Sequence, residues 1–246
     1  MATNFEELDY CLTPIGPVSL RRQRLLALDV EIYEVKLGDD YLMSSMFTVG
    51  ERALATLALQ ELDGVALEVV VGGLCLGYTA AEVLKDQRIS SLHVIELLGA
   101  VIGWHRDGLV PLGAELTGDP RCRLVQGDFF KLARSTPPAL DPASPGKRFH
   151  AVLLDIDHTP DLVLHPDNRS FYRPETLASL SQAILPGGVF AMWSDAKPAP
   201  EFLGMLKAVF GAARADVVVF DNPLRGGASD CTIYVARNTA ASPVID

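Results

Sequence analysis

The sequence predicts an open α/β sheet whose strands are mostly parallel, closed by one reversed strand and preceded by a small β-rich cap. From Val49 onward, short apolar runs alternate with segments of helical periodicity. Strands of this kind, continuous in apolar residues and separated by helices, are typical of a parallel sheet covered on both faces. Near the carboxyl end, the β-branched segments 216–220 and 231–236 are joined by residues 222–227 with no room for a helix. They should therefore pair as an antiparallel hairpin.

The elements follow in order along the chain. Short β-leaning stretches separated by glycine, proline and aspartate predict an antiparallel cap, and they are residues 18–26, 29–37 and 41–46. Spacing of apolar residues predicts the later helices and strands. The predicted helices are residues 51–62, 79–85, 100–109, 174–184 and 200–210, and the predicted strands are residues 66–71, 92–95, 123–126, 151–154 and 189–193. The proline-rich segment 135–147 is predicted to be a surface insertion, and segment 156–172 a loop that follows a strand.

Composition and charge exclude several classes of function. The 246 residues carry 31 acidic and 21 basic side chains, and basic residues cluster only at Arg21, Arg22 and Arg24, so we expect no nucleic-acid partner. No apolar run reaches the roughly 18 residues of a membrane helix, and the acidic segment 1–9 is unlike a signal peptide. We therefore expect no membrane partner and a cytoplasmic location. The four cysteines lack the spacing of a zinc site or a disulfide framework, so no bound metal is expected.

Ligands of open α/β sheets bind at the carboxyl ends of the strands, so the residues after each strand are the candidate site. The first strand of the larger sheet is followed by Gly72, Gly73 and Gly77, a glycine turn that opens a helix. Such a turn lets backbone amides approach a nucleoside. The second strand is followed by Glu96 and Leu97. Glu96 stands about 20 residues after the turn, the spacing at which a carboxylate accepts hydrogen bonds from both ribose hydroxyls.

The next two strands also end in candidate ligand-binding residues. Asp128 and Phe129 follow the third strand, where the aspartate can accept a hydrogen bond from the exocyclic amine of adenine while the phenylalanine packs on the ring. Asp155 follows the fourth strand. Candidates at four consecutive strand ends predict that the chain binds a nucleoside.

These motifs resemble those of the spermidine synthase family, the aminopropyltransferases built on the methyltransferase fold. The family's Gly-Gly-Gly-Asp-Gly-Gly-Thr motif falls on residues 73–79, its ribose-binding Glu on Glu96, and its Gly-Asp adenine motif on Gly127 and Asp128. Its Pro-Gly-Gly turn falls on residues 186–188. The resemblance covers nearly the whole chain.

The resemblance implies a fold, a donor and an assembly. The fold is the class I AdoMet-dependent methyltransferase-like (Rossmann-like) sheet with a final antiparallel strand. We accordingly divide the chain into a cap at residues 1–47, a nucleoside-binding catalytic domain at residues 48–238 and a tail at residues 239–246. The implied donor is S-adenosyl-L-methionine (AdoMet) or decarboxylated AdoMet, and the implied assembly is a homodimer.

The chain departs from the family pattern at the donor's amine and at the acceptor. The family's Asp that helps hold the amine of decarboxylated AdoMet falls on Leu76. The catalytic Asp-Ser-Ser/Thr-Asp-Pro loop becomes residues 155–160, which keep only the first Asp, and the Tyr-His-Glu-Met segment becomes residues 49–52, which keep only the Glu. A diamine needs anionic or hydroxyl partners at both ends, so putrescine is not the expected acceptor. The residues expected to contact a small acceptor are Glu51, Asp157, His158 and Trp193.

Asp155 is the expected catalytic residue. Transfer from a sulfonium is an in-line displacement, so the protein must align the nucleophile and remove its proton. A carboxylate at the strand end can do both, and the alternative is that Asp155 only binds the donor.

The sequence leaves the reaction itself open. Leu76 in place of an Asp favours intact AdoMet and methyl transfer, because an Asp would repel the donor's carboxylate. The family resemblance implies aminopropyl transfer from decarboxylated AdoMet to a polyamine. The sequence is also compatible with a divalent metal held by Asp155, Asp157, His158 and Asp195, and with a nucleoside-binding paralogue that has lost catalysis.

Overall fold

The computed structural model of the chain describes residues 4–239, so the predicted tail lies outside the described residues except for Thr239. A four-stranded antiparallel sheet comes first, with its strands side by side in chain order. Its strands are β1 (Phe5–Thr13), β2 (Gly16–Leu25), β3 (Val30–Leu37) and β4 (Asp40–Ser44). The predicted β-rich cap is confirmed, and β1 is an additional strand that was not predicted from the sequence. As a half-exposed edge strand rich in acids, β1 carries only a weak apolar alternation.

A seven-stranded sheet forms the rest of the framework. Its strands are β5 (Leu67–Gly72), β6 (Ile89–Glu96), β7 (Cys122–Gln126), β8 (Phe149–Leu154), β9 (Ile184–Ser194), β10 (Gly211–Asn222) and β11 (Gly227–Asn238). They lie in the order β10-β11-β9-β8-β5-β6-β7. The five strands β5 to β9 all run parallel to one another. β11 runs antiparallel to both of its neighbours, β9 and β10. The predicted parallel sheet with one reversed strand is confirmed.

Helices cover both faces of this sheet. They are α1 (Val49–Leu59), α2 (Tyr78–Lys85), α3 (Gly99–Arg106), α4 (Gly113–Gly118), α5 (Phe129–Arg134), α6 (Pro174–Ser181) and α7 (Pro200–Phe210). Because side chains alternate across a strand, Val69 and Val71 pack into the core beneath the cap and α1, whereas Val70 packs into a second core against α5 to α7. Within residues 4–239, every helix is too short or too polar to cross a membrane.

Several sequence predictions were wrong in detail. The helices predicted at residues 51–62 and 100–109 end at Leu59 and Arg106, α4 and α5 were not predicted, and a 3₁₀ helix (Pro166–Tyr172) lies in the segment predicted to be a loop. The helix predicted at residues 174–184 ends at Ser181, and Ile184 already begins β9. The spacing of apolar residues could not show this boundary, because the start of β9 pairs irregularly with β8. Ile184 pairs with Phe149, and the register between the two strands then shifts before Ala151. The insertion at residues 135–147 is also not confined to the surface, since Leu140 is fully buried in the core against α5 to α7.

The turn between β5 and α2 depends on Gly73. Its φ is +99°, and a Cβ at this position would overlap the carbonyl oxygen of Asp155, just beyond β8. Neighbouring strands hold this close approach in place, because Gly73 N donates to Ile95 O at 2.9 Å and Asp155 N donates to Gly72 O at 2.8 Å. Gly73 therefore brings the ends of β5, β6 and β8 together.

Replacement of this glycine should destabilise the fold strongly. In Gly73→Ala the new Cβ would overlap the Asp155 carbonyl, and the alanine would also have to adopt a left-handed φ. We expect the two costs together to lower the free energy of unfolding by roughly 3 kcal/mol or more. The matched control is Gly64→Ala, since Gly64 has φ +90° but a Cβ there would meet nothing within 4 Å. The control should lose only about 1–2 kcal/mol. Urea unfolding measures both variants, and equal losses would contradict the steric role of Gly73.

Candidate active site

A cleft of about 660 Å³ lies between the two sheets, where β5, β6, β7 and β8 reach their carboxyl ends. Cavities of this size are typical of small-molecule sites. The wall from the first sheet consists of residues 11–15 with Leu37, Leu42 and Met43. The predicted site residues that line the cleft are Glu51, Gly73, Glu96, Leu97, Asp128, Phe129, Asp155, His158 and Trp193. Gly72 and Gly77 flank the lining turn as the end of β5 and the N-cap of α2.

Glu96 ends β6 with its carboxylate held by backbone amides. Leu74 N donates to Oε2 at 3.0 Å, and Leu98 N donates to Oε1 at 2.8 Å. Burial raises the pKa of Glu96, although these amides oppose the rise. The backbone amides of Cys75 and Leu97 also lower this pKa, and Glu96 lines the cleft. Leu97 beside it is 44% exposed and presents an apolar surface to the cleft.

Asp128 and Phe129 form the wall beyond β7. Asp128 caps α5, because its Oδ1 accepts a hydrogen bond from Lys131 N at 3.0 Å, and its Oδ2 lies 3.4 Å from Lys131 Nζ. Phe129 is buried, and its ring fills the space that a side chain at Gly72 would need. The aspartate is thus fixed in orientation and still has acceptor positions for a ligand.

Two partly buried carboxyl groups lie on the other side of the cleft. Asp155 Oδ2 accepts a hydrogen bond from Thr79 Oγ1 at 2.6 Å, and Glu51 lies in α1. Burial raises the pKa of Asp155 to about 6. Burial together with the charge of Asp155 raises the pKa of Glu51 to about 8. Such interacting groups titrate as a pair, which holds about one negative charge at neutral pH.

Among residues 4–239 the carboxyl pair has no ion-pair partner, although the charge of nearby Arg52 slightly opposes the rise in the pKa of Glu51. In the part of the chain that the structure describes, no Lys or Arg forms an ion pair with Glu51 or Asp155. Arg52 follows Glu51 in the sequence, but its guanidinium donates to Glu82 Oε2 at 2.8 Å and to Thr48 Oγ1 at 3.2 Å. The negative charge of the pair is therefore left for a ligand.

Trp193 and His158 complete the expected acceptor side. The Trp193 side chain is hydrogen-bonded to the Cys231 thiol, and burial raises the pKa of that thiol to about 11. His158 Nδ1 lies 3.7 Å from Asp195 Oδ2. Both residues line the cleft, as predicted.

Asp157 is directed away from the cleft. Its buried carboxylate accepts hydrogen bonds from Leu164 N at 2.7 Å, Asn168 Nδ2 at 2.9 Å and Tyr172 Oη at 2.8 Å. These bonds order the loop that follows β8, because they tie three separate positions to one carboxylate. The expected contact of Asp157 with an acceptor is therefore not supported.

A divalent metal site also lacks support. Among residues 4–239, no three His, Cys, Asp or Glu side chains are grouped so that they could hold a metal ion. Asp155 bonds to Thr79 and Asp157 bonds within its own loop, so the four predicted ligands do not converge.

The glycine turn presents Cys75, not Leu76, to the cleft. Leu76 is fully buried in the core beneath the cap, whereas Cys75 lines the cleft and has a left-handed φ of +42°. The inference that Leu76 borders the donor's tail was therefore wrong, since one left-handed residue changes which side chain faces the ligand. Thr79, the hydrogen-bond partner of Asp155, was not predicted from the sequence either.

The carboxyl pair should make the stability of the fold decrease as pH rises. Both pKa values are raised on folding, so the pair favours the folded state at acid pH. This contribution is lost as pH rises from about 4, where an unfolded carboxyl titrates, through the folded values. Asp155→Asn and Glu51→Gln should therefore raise the melting temperature, relative to the unmodified chain, by a few degrees more at about pH 8.5 than at about pH 5.

The control for this prediction is Asp167→Asn. The Asp167 side chain is 79% exposed, so its replacement should show no such difference between the two pH values. Calorimetric melting of all three variants measures the effect. A melting difference that does not depend on pH would contradict the raised pKa values.

No family model matches the chain. Two solved structures share its fold. The first is a spermidine synthase in complex with the transition state analogue AdoDATO, which has a TM-score of 0.71 and 16% sequence identity over 97% of this chain and 75% of that one. The second is the spermidine synthase from Thermotoga maritima, with a TM-score of 0.70 and 16% identity over 97% of this chain and 74% of that one. The chain therefore has a spermidine synthase-like fold, which is the class I methyltransferase-like fold that its motifs predicted.

Proposed function

We propose that the chain is a transferase that uses an AdoMet-type sulfonium donor, and that it moves an aminopropyl group from decarboxylated AdoMet to an amine. The observation that carries the proposal is the carboxyl pair of Glu51 and Asp155, which lines the cleft without a Lys or Arg against it among the described residues. An ammonium group is attracted to such a pair, and a carboxylate is repelled. The shared fold with a spermidine synthase bound to AdoDATO supports the same class of donor.

The residues on the strand ends fit the nucleoside part of this donor. The Glu96 carboxylate lines the cleft as a partner for ribose hydroxyls, and Asp128 keeps acceptor positions for the adenine amine. Leu97 and Phe129 offer apolar surface to the base. Gly73 lines the cleft, and its lack of a side chain lets the turn pack against the Asp155 carbonyl beside the proposed donor site.

The charge of the cleft separates the two candidate donors. Intact AdoMet carries a carboxylate next to its ammonium, whereas decarboxylated AdoMet carries only the ammonium. Leu76, the residue that favoured intact AdoMet, has its side chain in the core. The carboxyl pair therefore favours the decarboxylated donor, and methyl transfer becomes the alternative that the donor comparison tests.

In this reaction the lone pair of the acceptor nitrogen attacks the carbon beside the sulfonium. An N–C bond forms, the C–S bond breaks, and its electron pair stays on sulfur to give a neutral thioether nucleoside. The acceptor must lose a proton before it attacks, and the Asp155 carboxylate can take it. Thr79 fixes one carboxylate oxygen of Asp155, which leaves the other to face the amine. Glu51 adds a second carboxyl beside Asp155, since the charge of Asp155 raises the pKa of Glu51.

Donor binding gives the first test. Calorimetry should show decarboxylated AdoMet binding at least about tenfold more tightly than AdoMet, which corresponds to about 1.4 kcal/mol. Glu51→Gln should reduce this preference. Glu68→Gln is the control, because Glu68 pairs with Lys147 outside the cleft and should leave the preference unchanged. A preference for AdoMet would indicate methyl transfer instead.

Turnover gives the second test. Asp155→Asn should lower the rate of aminopropyl transfer by about a hundredfold or more, as expected for loss of a general base. It should change the affinity for 5′-methylthioadenosine by less than about threefold, since the nucleoside contacts are elsewhere. Asp63→Asn is the control for both measurements, because Asp63 is exposed and lies outside the cleft. Equal losses of rate and affinity would show that Asp155 only binds, and tight binding with no turnover of any amine would indicate a non-catalytic nucleoside-binding protein.

A further inference from the structure

A buried histidine contacts the turn that lines the cleft, and the proposed chemistry does not use it. His105 lies in α3 with no exposed surface, and its Nε2 is 2.9 Å from the carbonyl oxygen of Cys75. A carbonyl only accepts hydrogen bonds, so the ring proton is on Nε2. Nδ1 has no partner within residues 4–239, as suits an unprotonated nitrogen. Burial lowers the pKa of His105, which favours this neutral form.

The residue that His105 contacts has an unfavourable backbone conformation. Cys75 has φ +42°, a left-handed conformation that is strained for any residue other than glycine. The turn is held on both sides of Cys75, because the N–H of the preceding Leu74 donates to Glu96 Oε2 at 3.0 Å while the Cys75 carbonyl accepts from His105. A chain of contacts thus runs from His105 through Cys75 to the carboxylate that faces the cleft.

Two glycines pack closely against His105, Gly77 against its ring and Gly113 against its backbone. A Cβ at Gly77 would lie 2.9 Å from His105 Cε1, and a Cβ at Gly113 would lie 2.6 Å from the His105 carbonyl oxygen. These positions come from the glycine turn and from the start of α4, which are distant in sequence. The local structure therefore accommodates a histidine at the one place where its Nε2 reaches the turn.

We propose that His105 is a positioning residue for nucleoside binding. Its Nε2–H holds Cys75 in the left-handed conformation, and this fixes the adjacent Leu74 N–H, which orients the Glu96 carboxylate toward the ribose. The inference rests on the proposed function, because it assigns a role within the same nucleoside site. Its consequence is that loss of one hydrogen-bond donor outside the cleft weakens binding inside it.

The test compares two replacements of similar shape. In His105→Gln the amide nitrogen can take the place of Nε2, whereas His105→Met fills a similar volume without a donor. We expect His105→Met to raise the dissociation constant of 5′-methylthioadenosine by about tenfold or more, and His105→Gln to stay within about threefold of the unmodified chain. His93→Met is the matched control, since His93 is also buried with a partnerless Nδ1 in the described chain but lies outside the cleft. The control should lower the melting temperature without changing the affinity.

A second measurement needs no ligand. Alkylation of the Cys75 thiol, followed by peptide mass spectrometry on the folded full chain, should be faster in His105→Met than in His105→Gln or His93→Met. This result stands even if 5′-methylthioadenosine fails to bind the unmodified chain, an outcome that would overturn the proposed function alone. Equal alkylation rates and equal affinities in the Gln and Met variants would overturn the role of His105.

A third comparison separates positioning from general destabilisation. In a Cys75→Gly background the left-handed conformation no longer carries a cost. His105→Met should then weaken nucleoside binding less than it does in the unmodified chain, which a double-mutant cycle measures. An undiminished effect in that background would show that His105 does not act through the conformation of Cys75.

Discussion

Two partly buried carboxyl groups, Glu51 and Asp155, lie in the cleft close enough that the charge of one raises the pKa of the other. The architecture around the cleft brings them together from different elements. α1 carries Glu51 from the junction between the two sheets, whereas Asp155 follows the central strand β8 and is held by Thr79 of α2. Because like charges without a cation beside them cost stability, the pair is best explained by a ligand that supplies positive charge.

The nucleoside half of the site follows from the topology of the sheet. Parallel strands place their carboxyl ends at one edge, so Glu96 and Asp128 reach the same cleft as the carboxyl pair. The close contact of Gly73 with the Asp155 carbonyl links the glycine turn to the strand that precedes Asp155. The buried contact between His105 and Cys75 joins the same turn to the core.

The strands of the larger sheet and the residues at their carboxyl ends could be predicted from the sequence, because both leave a local pattern of residue types. Continuous apolar runs identified β5 to β9, and strand-end residues such as Glu96 and Asp155 were found by position alone. The rest depended on backbone dihedrals and long-range contacts. The left-handed φ of Cys75 decides that Leu76 faces the core, and three donors of the following loop turn Asp157 inward. Neither feature has a signal in the residue types.

The central claim is that the carboxyl pair of Glu51 and Asp155 receives a cationic group. The most direct measurement is the number of protons released on binding, from calorimetry at about pH 7 in buffers of different ionisation enthalpy. An ammonium beside the pair lowers the carboxyl pKa values, so decarboxylated AdoMet should release part of a proton, whereas neutral 5′-methylthioadenosine should release none. Equal proton release for the two ligands, or proton uptake with decarboxylated AdoMet, would contradict the account.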